Sequence, residues 1–430
     1  MSPLAALNSL NEEQLISKRD QFFTEYQQLK AQDLKLDLTR GKPASEQLDL
    51  TNEILNYPQG SFINSEGIDV RNYGCLHGIK EIREIFAPLL GVPLENVIAG
   101  GNASLEIMHD LIVFSLIHGA EKHTHPWFGQ NIKFFAPSPG YDRHFALSES
   151  FGIELITIPM LDDGPDIEAM SILAAGDASI KGVWIVPTYS NPTGVSISVQ
   201  KAKELVALPA LADDFRIIWD NAYAIHTFGE RETEPIKILE LAANAGHPDR
   251  VWAVASTSKI TYAGSGVSFF ASSKKNLDWY LEHLSKRTIG PDKVNQLRHA
   301  QFFGDADNVR AHMQKHRAIL KPKFDLAHEV LTEKLGHSGV AVWTKPEGGY
   351  FISLNVLSGT AKRVVSLAQE AGVKLTAAGA TFPYGIDPQD TNIRIAPSYP
   401  KVEELRTALE VVTTCVLLAA SEKLLSENGN

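Results

Sequence analysis

Three short motifs carry the residue types that could do chemistry. Asn191-Pro192-Thr193-Gly194, Asp220-Asn221-Ala222-Tyr223 and Ser256-Thr257-Ser258-Lys259 follow one another in that order. Each comes directly after an apolar run that reads as a strand: GVWIVPTYS, FRIIW and RVWAVA. Taken singly, each motif is ordinary. NPTG is a turn sequence, an aspartate at a strand end is commonly a helix N-cap, and a lysine after small hydroxyl residues is commonly a solvated charge. Taken together, they place a lysine, a carboxylate, a phenol and a carboxamide where open α/β sheets bind ligands, at the carboxyl ends of their strands.

That set of groups suits one cofactor, pyridoxal 5′-phosphate. A lysine amine forms an imine with an aldehyde, which is the covalent catalysis expected of lysine. A buried carboxylate keeps a pyridine nitrogen protonated, so the ring can accept the electrons of a substrate carbanion. Asn191 and Tyr223 can donate hydrogen bonds to a ring phenolate. The hydroxyls of Ser256 and Ser258 suit a phosphate. The same phosphate is expected to meet Asn102, Ala103 and Ser104, between the strand NVIAG and the helix LEIMHDLIVF. Free N–H groups and the dipole at a helix N-terminus attract a dianion.

The elements that must position these residues alternate along the middle of the chain. KFFAPSPG, GIELITIPM, GVWIVP, FRIIW, RVWAVA and GVSFFASS read as strands. Residues 104–118, 199–208 and 277–283 read as helices between or beside them. Buried apolar strands alternating with helices imply an α/β fold with a mainly parallel sheet and helices on both faces. After about Asn308 the texture changes. A long helical pattern (309–335) precedes a strand pair in VAVWTKPEGGYFISL, a helix over 360–371, a strand in NIRIAPS and a last helix from Val402. This predicts a smaller α+β domain. Residues 1–60 are expected to form an N-terminal arm and part of that small domain, 61–305 the large cofactor-binding domain, and 306–430 the rest of the small domain. Residues 12–31 read as a surface helix.

The motifs LDLTRGKP, NPTG, DNAYAIHT, TSTSKITYAGSGVSFF and PEGGYFISL together resemble the fold-type I, pyridoxal-phosphate-dependent class I/II aminotransferases, in a divergent bacterial aspartate aminotransferase branch. The resemblance covers nearly the whole chain. It implies that Lys259 is the Schiff-base lysine and proton shuttle, that Asp220 pairs with the pyridinium, and that Asn191 and Tyr223 hold the ring 3′-oxygen. Tyr141, in PSPGYDRH, takes the place of the aromatic that stacks on the ring. Arg394 matches the arginine that clamps the substrate α-carboxylate, for which a planar bidentate fork is suited. Gly41 matches a glycine whose backbone approaches the same carboxylate. Tyr73 matches a tyrosine that reaches the neighbouring subunit's cofactor phosphate, which implies a homodimer with shared active sites. The resemblance further implies dicarboxylic substrates, aspartate or glutamate with 2-oxoglutarate or oxaloacetate. A second cation must then read the side-chain carboxylate; Arg287 is the first candidate by position and Arg143 the second, with Arg40 and Lys42 also available. One departure stands out. Relatives carry an arginine about eight residues after the lysine as a phosphate partner, whereas residues 260–273 contain none, and Gly266 or Val267 falls at its place.

Composition sets the outer limits. The 430 residues are 44% hydrophobic and 21% charged, enough for a sizeable core. Forty basic against 51 acidic side chains leave a net charge of −11, a poor field for nucleic acid or an anionic membrane. Two cysteines, Cys75 and Cys415, give neither a disulfide framework nor a metal cluster. The start lacks the basic and apolar regions of a signal peptide, and the apolar run 411–420 is too short to span a bilayer. These features predict a cytoplasmic protein. Two alternatives stay open: another enzyme of the same cofactor class, such as an aromatic aminotransferase or a lyase, and a transcription sensor built on the same fold. The second would need a basic DNA-binding domain. A metal hydrolase lacks any HExxH signature here.

Overall fold

The computed structural model describes residues 6–229 and 233–428. The first residues of the segment read for a signal peptide, and the outermost residues of the expected first and last domains, lie outside the described residues. The helix Glu12–Lys30 begins at a reciprocal cap, in which Asn11 accepts from Gln14 N and Gln14 accepts from Asn11 N. Strand β1 (Leu36–Asp37) follows. Then come β2 (Val97–Ala99), β3 (Lys133–Ser138), β4 (Glu154–Leu161), β5 (Gly164–Pro165), β6 (Ile180–Ile185), β7 (Arg216–Asp220), β8 (Val251–Ser256) and β9 (Ser268–Ala271). These last eight form one sheet in the order β2-β9-β8-β7-β6-β3-β4-β5.

The centre of that sheet is parallel: β4 with β3, β3 with β6, β6 with β7, and β7 with β8. β9 runs antiparallel to β8 and β2, and β5 antiparallel to β4. Helices cover both faces, so the central strands are apolar on both sides rather than alternating. Ile217 and Trp219 of β7 join one core with Val183, Ile185, Ala253 and Ala255. Ile218 joins the other with Trp184, Trp252, Val254 and Phe270, beneath the helices Ser104–His118 and Lys274–Leu284.

A third core gathers the remaining elements. β10 (Ala341–Trp343), β11 (Ile352–Val356) and β13 (Asn392–Ile395) form an antiparallel sheet, while β12 (Val373–Lys374) pairs in parallel with β1. The β1–β12 ladder stitches the N-terminal arm onto the C-terminal part of the chain. The N-terminal helix joins the same core through Leu15, Phe22 and Tyr26. Residues 411–421 of the last helix, Val402–Asn428, are all buried there, which accounts for their apolarity. No described helix is long and apolar enough to cross a membrane.

The helix Ala306–Leu335 connects the two regions. Its 30 residues span roughly 45 Å at the α-helical rise. Val309 and Met313 belong to the large-sheet core, and Leu320 onward to the third core. It starts earlier than the sequence pattern predicts because Asp305 caps it, accepting from Asn308 N at 2.8 Å.

Candidate active site

Four neighbouring parallel strands end on one edge of the large sheet. Asp220 is the last residue of β7; Lys259, Asn191 and Tyr141 lie in the turns just after β8, β6 and β3. At ~4.8 Å per strand, three steps cover about 14 Å, the scale of a small-molecule cofactor. Tyr189, Tyr223 and Tyr350 pack the third core against this edge, so the cleft lies where the two regions meet.

Asp220 is 2% exposed. His144 donates from Nε2 to Asp220 Oδ2 at 2.9 Å. The His144 ring stacks on Trp184 with centroids 4.6 Å apart, and Trp184 Nε1 donates to Ser148 Oγ at 2.9 Å. Tyr141 meets His144 edge-on at 4.9 Å. The other carboxylate oxygen, Oδ1, is buried without any partner. An unpaired buried carboxylate oxygen is costly, and a protonated pyridine nitrogen is a donor of the right kind for it. On this observation the residues fit pyridoxal phosphate. His144 was missed in the sequence, although it stands in PSPGYDRH; its signal is a histidine one helical turn past Tyr141.

Lys259 Nζ sits 4.9 Å from the Tyr223 ring centroid. Desolvation lowers its pKa below the ordinary lysine value, while the Asp220 carboxylate opposes the shift. Burial raises the Tyr223 phenol well above its usual range, so it stays a donor at neutral pH. The turn carrying the lysine is clamped from behind. Ile260 O accepts from His312 Nε2 at 3.0 Å and His316 Nε2 at 3.1 Å. Thr261 Oγ1 lies 2.9 Å from His299 Nε2, and Lys259 O 3.4 Å from His226 Nε2. Desolvation holds His226 down at about 3 and His299 and His316 at about 4, so all three are neutral.

At the other end of the cleft the helix Ser104–His118 opens with Ala103 as N-cap and no side-chain cap. Its first amides are therefore not spent on a capping side chain. Asn102 Oδ1 instead accepts from Gly266 N at 2.9 Å. A Cβ on Gly266 would come within 2.9 Å of Thr257 Oγ1 and 3.3 Å of Asn102 O. The turn is thus closed tightly at Gly266, one of the two positions where an arginine was expected; the other, Val267, is buried in the large-sheet core. Ser256 Oγ donates to Ser258 Oγ at 2.9 Å beside it.

Arg394, on β13, reaches the cleft from the smaller sheet and is 8% exposed. Its Nη1 donates to Asp142 Oδ1 at 2.8 Å and Asn191 Oδ1 at 3.4 Å, and its Nη2 to Thr376 Oγ1 at 3.3 Å. Nε is buried without a partner. The guanidinium lies 5.0 Å from the centroid of Phe351, and a Cβ on Gly41 would overlap that same ring. Only glycine lets the TRGKP backbone come this close to Phe351 and the arginine beneath it.

The model of the aspartate aminotransferase family matches residues 10–428. An aspartate aminotransferase of Corynebacterium glutamicum is 53% identical over 399 residues, 92% of each chain. The chain belongs to the aspartate aminotransferase family. A Mycolicibacterium smegmatis protein with a provisional aminotransferase name is 53% identical over 98% of this chain and all of its own. The crystal structure of an aspartate transaminase from Corynebacterium glutamicum superposes with a TM-score of 0.96 at 50% identity, covering 98% of this chain and 100% of that one. The fold itself extends further: an α-aminoadipate aminotransferase of Thermus thermophilus, 18% identical, has a TM-score of 0.71 over 91% of this chain and 93% of its own. The chain is an aminotransferase, and aminotransferases of this fold use pyridoxal phosphate.

Three of the residues predicted for the site of this aminotransferase are not drawn into the cleft of its own chain. Tyr73 is 80% exposed, on the loop before the helix Lys80–Leu90. Arg287 pairs with Asp110 at 3.2 Å on the helix Ser104–His118. Arg143 follows Asp142 on the helix Asp142–Ser150 and is exposed. Of the two further cations, Arg40 is exposed and Lys42 stacks over Tyr399 at 4.2 Å.

Proposed function

We propose that this aminotransferase moves an amino group between a dicarboxylic amino acid, aspartate or glutamate, and a dicarboxylic 2-oxo acid, with pyridoxal phosphate in the cleft described above. The observation that carries the reading is Asp220: a buried carboxylate oriented by His144, with one oxygen unpartnered and a desolvated lysine nearby.

When bound, pyridoxal phosphate supplies an electron sink for the pair left as the substrate Cα loses its proton. The chain's residues do the rest. Asp220 Oδ1 would accept from the ring nitrogen and keep it protonated. Tyr223 and the Asn191 amide would donate to the ring oxygen. Asn191 Oδ1 also accepts from Arg394, so one carboxamide ties the ring to the substrate clamp. Tyr141 would stack on the ring. Asn102, Ala103, Ser104, Ser256 and Ser258 line the phosphate end. Arg394, with the Gly41 backbone, binds the substrate α-carboxylate. Lys259 Nζ would hold the cofactor between turnovers and would serve as the base for the Cα proton; its lowered pKa favours the free amine that this role needs. Arg287 and Arg143 are the candidates for the distal carboxylate, Arg287 from a partner subunit. The enzyme works as a cytoplasmic homodimer, with Tyr73 reaching the neighbouring phosphate.

The test is to follow the visible absorption of the holoenzyme during addition of L-aspartate, L-glutamate or L-phenylalanine, with chemical detection of the 2-oxo acid formed. Bleaching at low dicarboxylate concentration with release of oxaloacetate or 2-oxoglutarate is expected. A preference for phenylalanine over both dicarboxylates overturns the substrate assignment.

A further inference from the structure

The cation assigned to the substrate's α-carboxylate already has an anion of its own. Arg394 Nη1 donates to Asp142 Oδ1 at 2.8 Å. This is the only carboxylate that pairs with Arg394 among the described residues; the other two partners, Asn191 and Thr376, are neutral. The two ends of the pair differ in freedom. Arg394 is fixed on β13, 8% exposed, with Phe351 against its face. The Asp142 side chain is 34% exposed and stands on the first turn of the helix Asp142–Ser150. It can turn to water, where the N-terminal end of that helix still favours its charge.

The pair also bridges the two regions. The loop before Asp142 is tied across the cleft by Gly140 N donating to Thr381 O at 2.7 Å, and the helix after it by Tyr384 N donating to Glu149 Oε1 at 2.8 Å. Asp142 is therefore held within reach of Arg394 by contacts that do not depend on the ion pair.

We propose that Asp142 is an affinity-setting residue that competes with substrate: its carboxylate neutralises Arg394 in the empty cleft, and every incoming α-carboxylate must displace it. The inference rests on the reading that Arg394 binds that carboxylate. Asp142 acts as a tethered competitor, raising the concentration of amino or oxo acid needed to fill the site. Because it leaves Arg394 when substrate binds, it affects ground-state occupancy and leaves the chemical step alone. A shared α-carboxylate site makes the effect common to donor and acceptor, and to substrates with or without a second carboxylate.

The experiment compares wild type with Asp142→Asn, which keeps the size and removes the charge. Calorimetry with maleate, a dicarboxylate that cannot react, gives Kd without turnover; steady-state rates with aspartate and 2-oxoglutarate give KM and kcat. The expected result is a roughly 3- to 20-fold fall in Kd and in both KM values, the range between an exposed and a partly buried charged pair, with kcat within about twofold. Asp142→Glu, which keeps the charge on a longer arm, should stay closer to wild type than Asp142→Asn. Unchanged or weaker maleate binding in folded Asp142→Asn overturns the proposal. Arg394→Lys separates the two readings. If it leaves maleate affinity intact, the assignment of Arg394 fails; if it weakens maleate while Asp142→Asn does not tighten it, the competitor role alone fails.

Discussion

At the scale of single residues, the site depends on two groups whose loss has different signatures. Lys259→Ala removes both the covalent anchor and the base, so the visible chromophore in its normal form should vanish and turnover should fall by at least the ~10²–10⁴ of a positioned acid–base group. An absorption spectrum and a rate assay check this, and wild-type transamination by the variant would refute the assignment. Asp220→Asn keeps the shape and removes the charge opposite the ring nitrogen. Its kcat should drop by about 100-fold or more while thermal unfolding barely shifts, since the His144 bond survives at one heteroatom. A variant that unfolds, with its folded fraction fully active, would make Asp220 a structural residue only. Lys259, Asp220, Asn191 and Tyr223 could be proposed from the sequence because each stands in a motif after a strand, and Arg394, inside β13, from the resemblance that NIRIAPS helps to carry. His144 and Asp142 were not, because their partners lie 76 and 252 positions away and only folding brings them together.

At the scale of elements, the turn after β8 is held by imidazoles rather than by backbone alone. His299 bonds Thr261 and Asn295 O, while His312 and His316 converge on Ile260 O from the long connecting helix. These rings are buried neutral. The folded pKa of His299, about 4, lies below the ordinary value of 6.5 that it regains on unfolding. Between those limits the unfolded chain binds the extra proton, so stability is complete above about pH 6.5 and is lost as pH falls towards 4. His299 and His316, both held at about 4, each cost about 2 kcal/mol at pH 5 from the shift alone. His299→Gln, which can still bond Thr261, should flatten the decline of Tm between pH 7 and pH 5. A decline as steep as wild type would show that His299 does not titrate on unfolding. The same scale bears on the missing arginine. A sequence shows that Gly266 or Val267 stands at its place, but not that Thr257 Oγ1 and the Asn102 carbonyl crowd the first while the second is buried in the large-sheet core.

At the scale of the whole molecule, one chain leaves Tyr73 on an exposed loop and Arg287 paired with Asp110. A partner subunit would bring both into use. Sedimentation equilibrium at assay concentration should therefore give about twice the 47.2 kDa of the chain. Tyr73→Phe should weaken cofactor retention, measured as loss of the visible chromophore on dialysis, without changing that mass. An active monomer would refute the shared site.

The sequence by itself determined the α/β class, the parallel centre of the sheet and the order of the motifs. Strand and helix periodicities are local, and the strand-end residues inherit their position from the strands before them. It also fixed the buried nature of the last helix, because a run such as Val411 to Ala420 without a charge has few other places to go. Tertiary structure alone decided which groups face each other across the cleft. The unpartnered Asp220 oxygen, the histidines behind Lys259 and the carboxylate beside Arg394 all arise between segments distant in sequence, where no spacing rule operates.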